Sequence, residues 1–237
     1  MPLPSKSEIN RCGDLLRSYT TAHRDNPDGD YDWERLNHAL DVLGEFRSSF
    51  SYPLTKVTLG LRAMVKAETG IVVVAQRLKR MNRILGKLER MPDTKVARME
   101  DIGGCRAVLR NPAEVMGVLR RIQRRWDVPR LRDYVTDPKV SGYRAVHVIT
   151  TRDDRRIEVQ LRTLGQQQWA DAVETAARVF SLPLKDEQGP GEVLNFFRAA
   201  GEGIYRDEYG VGANEEFLQR FTEAANLMRD WVARSGR

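Results

Sequence analysis

The sequence predicts a domain of the α/β (α+β) class: a mixed, mainly antiparallel sheet of about five strands, flanked by helices at both ends. Three observations predict it. Apolar residues in the first third recur at helical spacing, as in Leu36, Leu40, Leu43 and Phe46. Tyr143–Thr151 and Arg156–Thr163 read as paired strands around the turn Arg152-Asp-Asp-Arg155. The last third returns to helical spacing around Trp169–Phe180, Val193–Tyr205 and Asn214–Arg234. The stretches are expected to form one domain over 1–237, with N-terminal helices to 69, a core over 70–180 and C-terminal helices from 181.

Each element has its own signal. Ser5 and Glu8 have capping-box spacing before Ile9, Leu15 and Leu16. The turn residues Asp25-Asn-Pro-Asp-Gly-Asp30 separate this helix from the next, which starts near Trp33. Pro53 is expected to break or kink that helix before Leu54–Val65 continues it. Ile71–Ala75 reads as a buried segment and Arg80–Met91 as a helix. Gly103-Gly104 leads into a short strand, Cys105–Leu109. Pro112 suits a helix start, and Val115–Trp126 has helical periodicity. In Arg156–Thr163, Ile157, Val159 and Leu161 alternate with Glu158, Gln160 and Arg162. One face is then core, and the other points three polar groups the same way. Residues 181–191 read as a polar loop.

Composition excludes several classes. With 237 residues, 41% hydrophobic and 30% charged, the chain is a globular one and not a disordered tract. No apolar run approaches the ~20 residues of a membrane span, and MPLPSKSEIN lacks a signal pattern. A cytoplasmic setting is expected. Cys12 and Cys105 form neither a disulfide framework nor a zinc pattern. The formal charge is +6, and the excess is arginine: 31 Arg against 8 Lys. Guanidinium forks suit phosphate, so a nucleotide or nucleic acid partner fits the charge, although on charge alone a solvated basic surface is the preferred reading.

The chemistry-bearing residues fall in four places. Asp101 stands beside Gly103-Gly104 and Arg106, where a carboxylate can hold a hard cation. Glu158 stands between apolar strand residues, where it can serve as metal ligand or general base. Singly, the first reads as an incidental turn residue and the second as the wet face of a strand. The loop Asp133–His147 carries more features: Pro138, Lys139, Gly142, Tyr143 at a strand entry, Arg144 and His147. A held aromatic can stack on a base while nearby cations hold phosphate. Arg77, Lys79, Arg80, Arg83 and Lys87 form a basic cluster suited to a triphosphate. No Gly-rich loop ending in Lys-Ser/Thr is present, which argues against a P-loop enzyme.

Together these segments resemble the synthetase domain of the RelA/SpoT family, in order and approximate spacing, over roughly Ile71 to Glu174. Asp101-Ile-Gly-Gly-Cys-Arg106 resembles the family's Asp-Ile-Ala-Gly-x-Arg. Glu158-Val-Gln-Leu-Arg-Thr163 resembles its Glu-x-Gln-Ile-Arg-Thr. Asp133-Tyr-Val through Pro138-Lys139, Gly142-Tyr143-Arg144 and His147 resembles its acceptor loop. Arg77-Leu-Lys79, with Ile84, Lys87 and Leu88, resembles its Arg-x-Lys segment. Departures are Leu85 at an often basic position, Ala145 where Ser is usual, and Glu174-Thr175 in place of Glu-His.

The resemblance implies a nucleotidyltransferase-like fold and transfer of the β,γ-pyrophosphate of ATP to a ribose 3′-hydroxyl. It makes Asp101 and Glu158 the catalytic pair and the ligands of Mg²⁺. It gives ATP to Arg77, Lys79, Arg83, Lys87 and Arg106, the two flanking arginines holding the adenine. It gives the acceptor to Tyr143 as stacking residue, with Lys139, Arg144, His147, Gln160 and Arg162 around it. The family's histidine-rich hydrolase domain is absent from the sequence, so synthesis without hydrolysis is expected. The phrasing around Gln76–Arg80, Leu88–Met91 and Arg98–Arg106 resembles the toxin branch and its phage-defence relatives. That branch modifies the 3′ CCA end of tRNA and implies an antitoxin protein. Small alarmone synthetases, which use GDP or GTP, are the alternative. A catalytically dead nucleotide- or RNA-binding module is a third reading, opposed by the presence of both Asp101 and Glu158. The C-terminal helices are expected to build a homo-oligomer interface or a lid.

Overall fold

The computed structural model describes residues 3–70 and 73–235. Three helices open the chain: α1 (Lys6–Asp25), α2 (Trp33–Ser48) and α3 (Ser51–Thr69). The Ser5 side chain accepts the Glu8 N–H at the start of α1, and Asp32 does the same for Arg35 in α2, each satisfying a donor without an intrahelical partner. The expected break at Pro53 falls earlier, at Ser49–Phe50. Pro53 lies in the first turn of α3, where its missing N–H leaves nothing unpaired. Gly70, at φ +72°, ends α3 in the left-handed conformation.

Five strands follow among further helices: β1 (Val74–Leu78), α4 (Met81–Arg90), β2 (Gly103–Leu109), α5 (Pro112–Arg125), β3 (Arg130–Asp133), β4 (Val146–Arg152) and β5 (Arg155–Thr163). Three helices close the chain: α6 (Leu164–Val179), α7 (Gly191–Glu208) and α8 (Glu215–Arg234). Short 3-10 turns lie at Val96–Arg98 and Leu184–Asp186. None of the described helices is long and apolar enough to cross a membrane.

The sheet order is β1-β2-β5-β4-β3, and only β2–β5 is parallel. The mixed, mainly antiparallel five-stranded sheet is therefore as expected, with three local corrections. Of the segment expected to be buried at Ile71–Ala75, the described residues Val73–Ala75 lie at an exposed sheet edge: Val73 is 52% exposed and β1 runs Val74–Leu78. Ile71 and Val72 lie outside the described residues. Tyr143–Ala145 precede β4 as loop. β3, a charged four-residue edge strand, carries no apolar signal in the sequence. The β4–β5 connection is a two-residue turn, with Asp153 and Asp154 at φ 47° and 59°, the positive pair that a tight hairpin favours.

Alternation sorts the two central strands into faces. Cys105, Ala107 and Leu109 of β2, with Ile157, Val159 and Leu161 of β5, are buried in the main core with residues of α3 and α5. A second cluster, including Trp169, Val173, Leu184, Val193 and Phe197, joins α6 to α7. Burial also pushes the Cys105 thiol up to about 12, which leaves it inert.

The loop before β4 is pinned to α7 by a close approach. Gly142 has φ +87°, and a Cβ there would meet Arg198 Cα at 2.7 Å. Arg198 Nε donates to Val140 O at 2.8 Å. Gly142→Ala is expected to cost about 1–3 kcal/mol, measured by urea denaturation; a change within 0.5 kcal/mol, on the order of an ordinary surface substitution, would contradict this packing.

Candidate active site

The polar face of the sheet follows from register alone. In antiparallel pairs, directly opposed residues share a face. Arg77 opposes Gly104, Ala75 opposes Arg106, Gln160 opposes His147, and His147 opposes Arg132. In the parallel pair, Gly104 is level with Glu158, Arg106 with Gln160 and Val108 with Arg162. Polar side chains from all five strands therefore stand on one surface, among them Arg77, Arg106, Glu158, Gln160, Arg162, His147 and Arg132.

Five residues there close a hydrogen-bonded ring. His147 Nδ1 meets Glu158 Oε1 at 2.9 Å, and Gln160 Nε2 donates to Glu158 Oε2 at 2.7 Å. Arg162 donates to Gln160 Oε1 at 2.9 Å and to the Tyr143 hydroxyl at 2.8 Å. That hydroxyl lies 2.7 Å from His147 Nε2. Nδ1–H of His147 donates to Glu158, and the Tyr143 hydroxyl, which accepts from Arg162, closes the ring at Nε2. Arg162 is 7% exposed, and its Nε has no partner among the described residues. Gln167 of α6 accepts from Arg162 at 3.1 Å and donates to Asp171 at 2.7 Å, so a second layer orients the ring.

Asp101, two residues before β2, has a different environment. Lys79 Nζ meets its Oδ2 at 2.7 Å and Lys87 Nζ its Oδ1 at 3.0 Å. Lys79 follows β1, where its N–H donates to Ile102 O at 2.8 Å. Lys87 lies on α4, whose Ile84 and Leu88 are buried. Burial raises the Asp101 pKa, but the two ammonium groups outweigh it and hold the carboxyl below its ordinary range. Glu158 behaves alike. Burial raises it, the His147 and Gln160 hydrogen bonds lower it further, and Asp101 raises it through space. That last effect places the two carboxylates within electrostatic reach of each other.

The other sequence-selected residues divide. Arg106 is half-buried, and burial followed by the Arg162 and Arg77 charges lowers its pKa, so these three guanidiniums converge. Lys139 Nζ lies 5.5 Å from the Tyr143 ring centre and 5.3 Å from that of Tyr134. Two residues are not gathered in. Arg83 is exposed on α4 and has no ion pair or side-chain hydrogen bond among the described residues. Arg144 donates to Val135 O and stacks on Tyr205 of α7 at 4.2 Å, so it pins the loop and does not join the ring. Sequence reasoning missed Glu100, which pairs with Arg130, Arg132 and Arg156 at 3.0–3.2 Å. Its position beside Asp101 was the available signal. It also missed Tyr134, packed edge-on against His147 at 5.1 Å.

Chemically, such a surface can take a polyphosphate on its cations and a hard divalent ion between its carboxylates. No group of three or more His, Cys, Asp or Glu side chains able to hold a metal occurs among the described residues. Two carboxylate oxygens, supplemented by substrate phosphate oxygens and water, are the usual donor set for Mg²⁺, and Asp101 with Glu158 fits that pattern.

Comparison with known proteins places part of the chain in a family. Residues 76–178 match the family model described as the region found in RelA/SpoT proteins, and the chain carries a RelA/SpoT-family domain. It is 29% identical over 128 residues to an uncharacterized protein of Mycobacterium tuberculosis, covering 52% of this chain and 45% of that protein. It thus spans less than half the length of that relative. GTP pyrophosphokinase YjbM of Bacillus subtilis is 29% identical over 156 residues, covering 60% of this chain and 71% of that one. The fold matches that of a GTP pyrophosphokinase family protein from Streptococcus pneumoniae with a TM-score of 0.60 and 22% identity, over 77% of this chain and 97% of that one.

Asp101 carries a stability prediction. Its folded pKa lies below the unfolded value, so its contribution is whole above that value, roughly 3.9, and is lost as pH falls through the folded pKa. Asp101→Asn is expected to lower unfolding free energy by about 1–2 kcal/mol at pH 7, with the gap closing toward pH ~3. Urea denaturation at both pH values measures it; a gap that widens in acid would contradict the assignment.

Proposed function

We propose that this protein is an ATP pyrophosphokinase that moves the β,γ-pyrophosphate of ATP to a ribose 3′-hydroxyl. The observation that carries the reading is a pair of held carboxylates: Asp101 gripped by two lysines just before β2, and Glu158 in a hydrogen-bonded ring on the polar sheet face where arginines converge. In this reaction the 3′-oxygen bonds to the β-phosphorus, its proton leaves, the bond from that phosphorus to the bridging oxygen breaks, and AMP departs. Little covalent work falls to the protein; positioning and charge neutralisation do most of it.

The residues divide that labour. Lys79 and Lys87 exchange Asp101 for the triphosphate when ATP enters, and Arg77 and Arg106 flank the adenine. Asp101 and Glu158 would hold Mg²⁺, which when bound would supply charge neutralisation at the phosphates. Glu158 accepts the hydrogen bond of the 3′-hydroxyl. A carboxylate held below its ordinary range is a weak base, so this task suits it better than early proton abstraction. The ring keeps its orientation fixed through His147 and Gln160. The buried, unpartnered Arg162 Nε is a donor in reserve for an oxygen of the acceptor.

The acceptor we favour is the 3′ end of tRNA, a translation-blocking activity that would require an antitoxin partner. Exposed Arg130 and Arg156 border the face at one side, and exposed Arg80 and Arg83 stand on the segment carrying Lys79 and Lys87, a broader basic spread than one nucleotide needs. GDP or GTP is the second reading, favoured by the name of the Bacillus relative. Purified protein with γ-³²P-ATP and Mg²⁺ is offered deacylated tRNA in one tube and GDP plus GTP in another. Label on tRNA, reduced at least 100-fold by Glu158→Gln, a loss of the size expected for a positioned catalytic group, is the expected result. Label on guanine nucleotide alone would replace the tRNA reading, and label in neither tube would overturn the pyrophosphokinase reading.

A further inference from the structure

Strand β5 runs into helix α6 without a loop: Thr163 ends the strand and Leu164 opens the helix. The direction of α6 is therefore set at one residue. Thr163 is fully buried and caps α6. Its hydroxyl accepts the Gln166 N–H at 3.1 Å, and the Gln166 side chain accepts the Thr163 N–H at 3.2 Å. The proton of that hydroxyl goes to a residue 45 positions down the chain: Thr163 Oγ1 donates to Glu208 Oε2 at 2.7 Å. The Gly165 N–H donates to Glu208 Oε1 at 3.2 Å. Glu208 ends α7 and lies beyond residues 76–178, so the family region does not include it.

The junction is shaped for this carboxylate. A Cβ on Gly165 would meet Glu208 Oε1 at 2.6 Å and Ile204 Cγ2 at 2.8 Å. Any side chain at 165 would push Glu208 away, so glycine is what lets it in. The Gly165 N–H is a first-turn donor without an intrahelical acceptor, and that end of a helix favours negative charge. Burial raises the Glu208 pKa, and the Thr163 and Gly165 hydrogen bonds offset this only in part. The carboxylate is thus held at the junction against a solvation cost.

What the junction fixes is the polar face. Gln167, one turn after Thr163, accepts from Arg162 at 3.1 Å. Arg162 in turn donates to Gln160 at 2.9 Å and to Tyr143 at 2.8 Å. Those two residues hold Glu158 and His147. A tilt of α6 at Thr163 is therefore passed to Glu158 through side chains in direct contact. Lys79, Lys87 and Asp101 form a separate cluster outside this relay. We infer that Glu208 is a positioning residue for the transfer: by anchoring the β5–α6 junction it sets where Gln167 and Arg162 stand, and through them the ring that holds Glu158. It touches no reacting atom. The inference rests on the pyrophosphokinase reading for the reaction it serves, and on geometry alone for the coupling to the ring.

The experiment compares wild type with Glu208→Gln, Thr163→Val, the double variant, Thr163→Ser and Glu202→Gln. Glu202 pairs with Arg206 and Arg220 on the same end of the fold, so its variant controls for a loosened α7. Steady-state transfer from γ-³²P-ATP to the acceptor that wild type labels gives kcat and ATP KM. Proton–nitrogen NMR of the side chains of the three histidines reads the His147 Nδ1–H bond to Glu158 without any substrate. Expected in Glu208→Gln is a kcat lowered about tenfold, the size of loss when a group that orients a functional residue is removed. ATP KM should not move, and the His147 signal should shift. Thr163→Val should match it, and the double variant should lose no more than the larger single loss, because both cut one bond. Thr163→Ser and Glu202→Gln should retain the wild-type kcat and His147 signal. An unchanged kcat or an unmoved His147 signal in Glu208→Gln, or an equal loss of kcat in Glu202→Gln, would overturn the inference. Transfer absent from wild type would sink the pyrophosphokinase reading alone; a His147 signal shifted by Glu208→Gln would then uphold the coupling, and an unmoved one would overturn it.

Discussion

One strand pairing governs the rest of the molecule: β2 runs parallel to β5 with Gly104 level with Glu158. Strand side chains alternate, so a slip of one residue would send Arg106 into the core and Cys105 onto the polar face. The register is fixed from below, where Cys105, Ala107, Leu109, Ile157, Val159 and Leu161 bury against the core with α3 and α5. The apolar face thus sets which residues stand on the polar one. It also brings Asp101, immediately upstream of β2, into electrostatic reach of Glu158.

The two carboxylates are kept ionised by different means. Asp101 has mobile counter-charges, two lysines on long stems. Glu158 has fixed hydrogen-bond partners instead, in a ring that runs through two strands and a loop and is braced from α6 by Gln167. A lysine can leave a carboxylate for a phosphate at small cost, because its ammonium is a point charge with rotatable donors. A ring of five mutually satisfied groups resists such exchange. The Lys79–Asp101–Lys87 cluster is therefore built to rearrange and the Glu158 ring to stay still. Loop and α7 meet at Gly142, and Arg144 is committed to that junction, which keeps Tyr143 where Arg162 and His147 can reach it.

Much of this was legible in the sequence, for identifiable reasons. Period-two alternation in Ile157–Arg162 announced both faces of β5, and the helices followed from spacing and caps. Four motifs in register located Asp101, Glu158 and their cations. What escaped has a common cause. β3 is four residues long, mostly charged, and defined only by pairing with β4. Ile71–Ala75 is apolar but ends in an edge strand with a neighbour on one side only, so hydrophobicity overstated its burial. Glu100 gathers Arg130, Arg132 and Arg156 from positions 30 or more residues away, which no local pattern encodes. Arg144 sits in a motif beside Tyr143, yet tertiary packing turns it to Tyr205.

The central claim is that Asp101 holds the place of substrate phosphate on Lys79 and Lys87, and that the two lysines hold the place of a cation on Asp101. The most direct measurement is a crystal structure of the protein with Mg²⁺ and a non-transferable ATP analogue. The account predicts that both ammonium groups leave Asp101 for phosphate oxygens and that the freed carboxylate ligates the ion. Lysines still paired with Asp101 while the nucleotide phosphates lie elsewhere would contradict it.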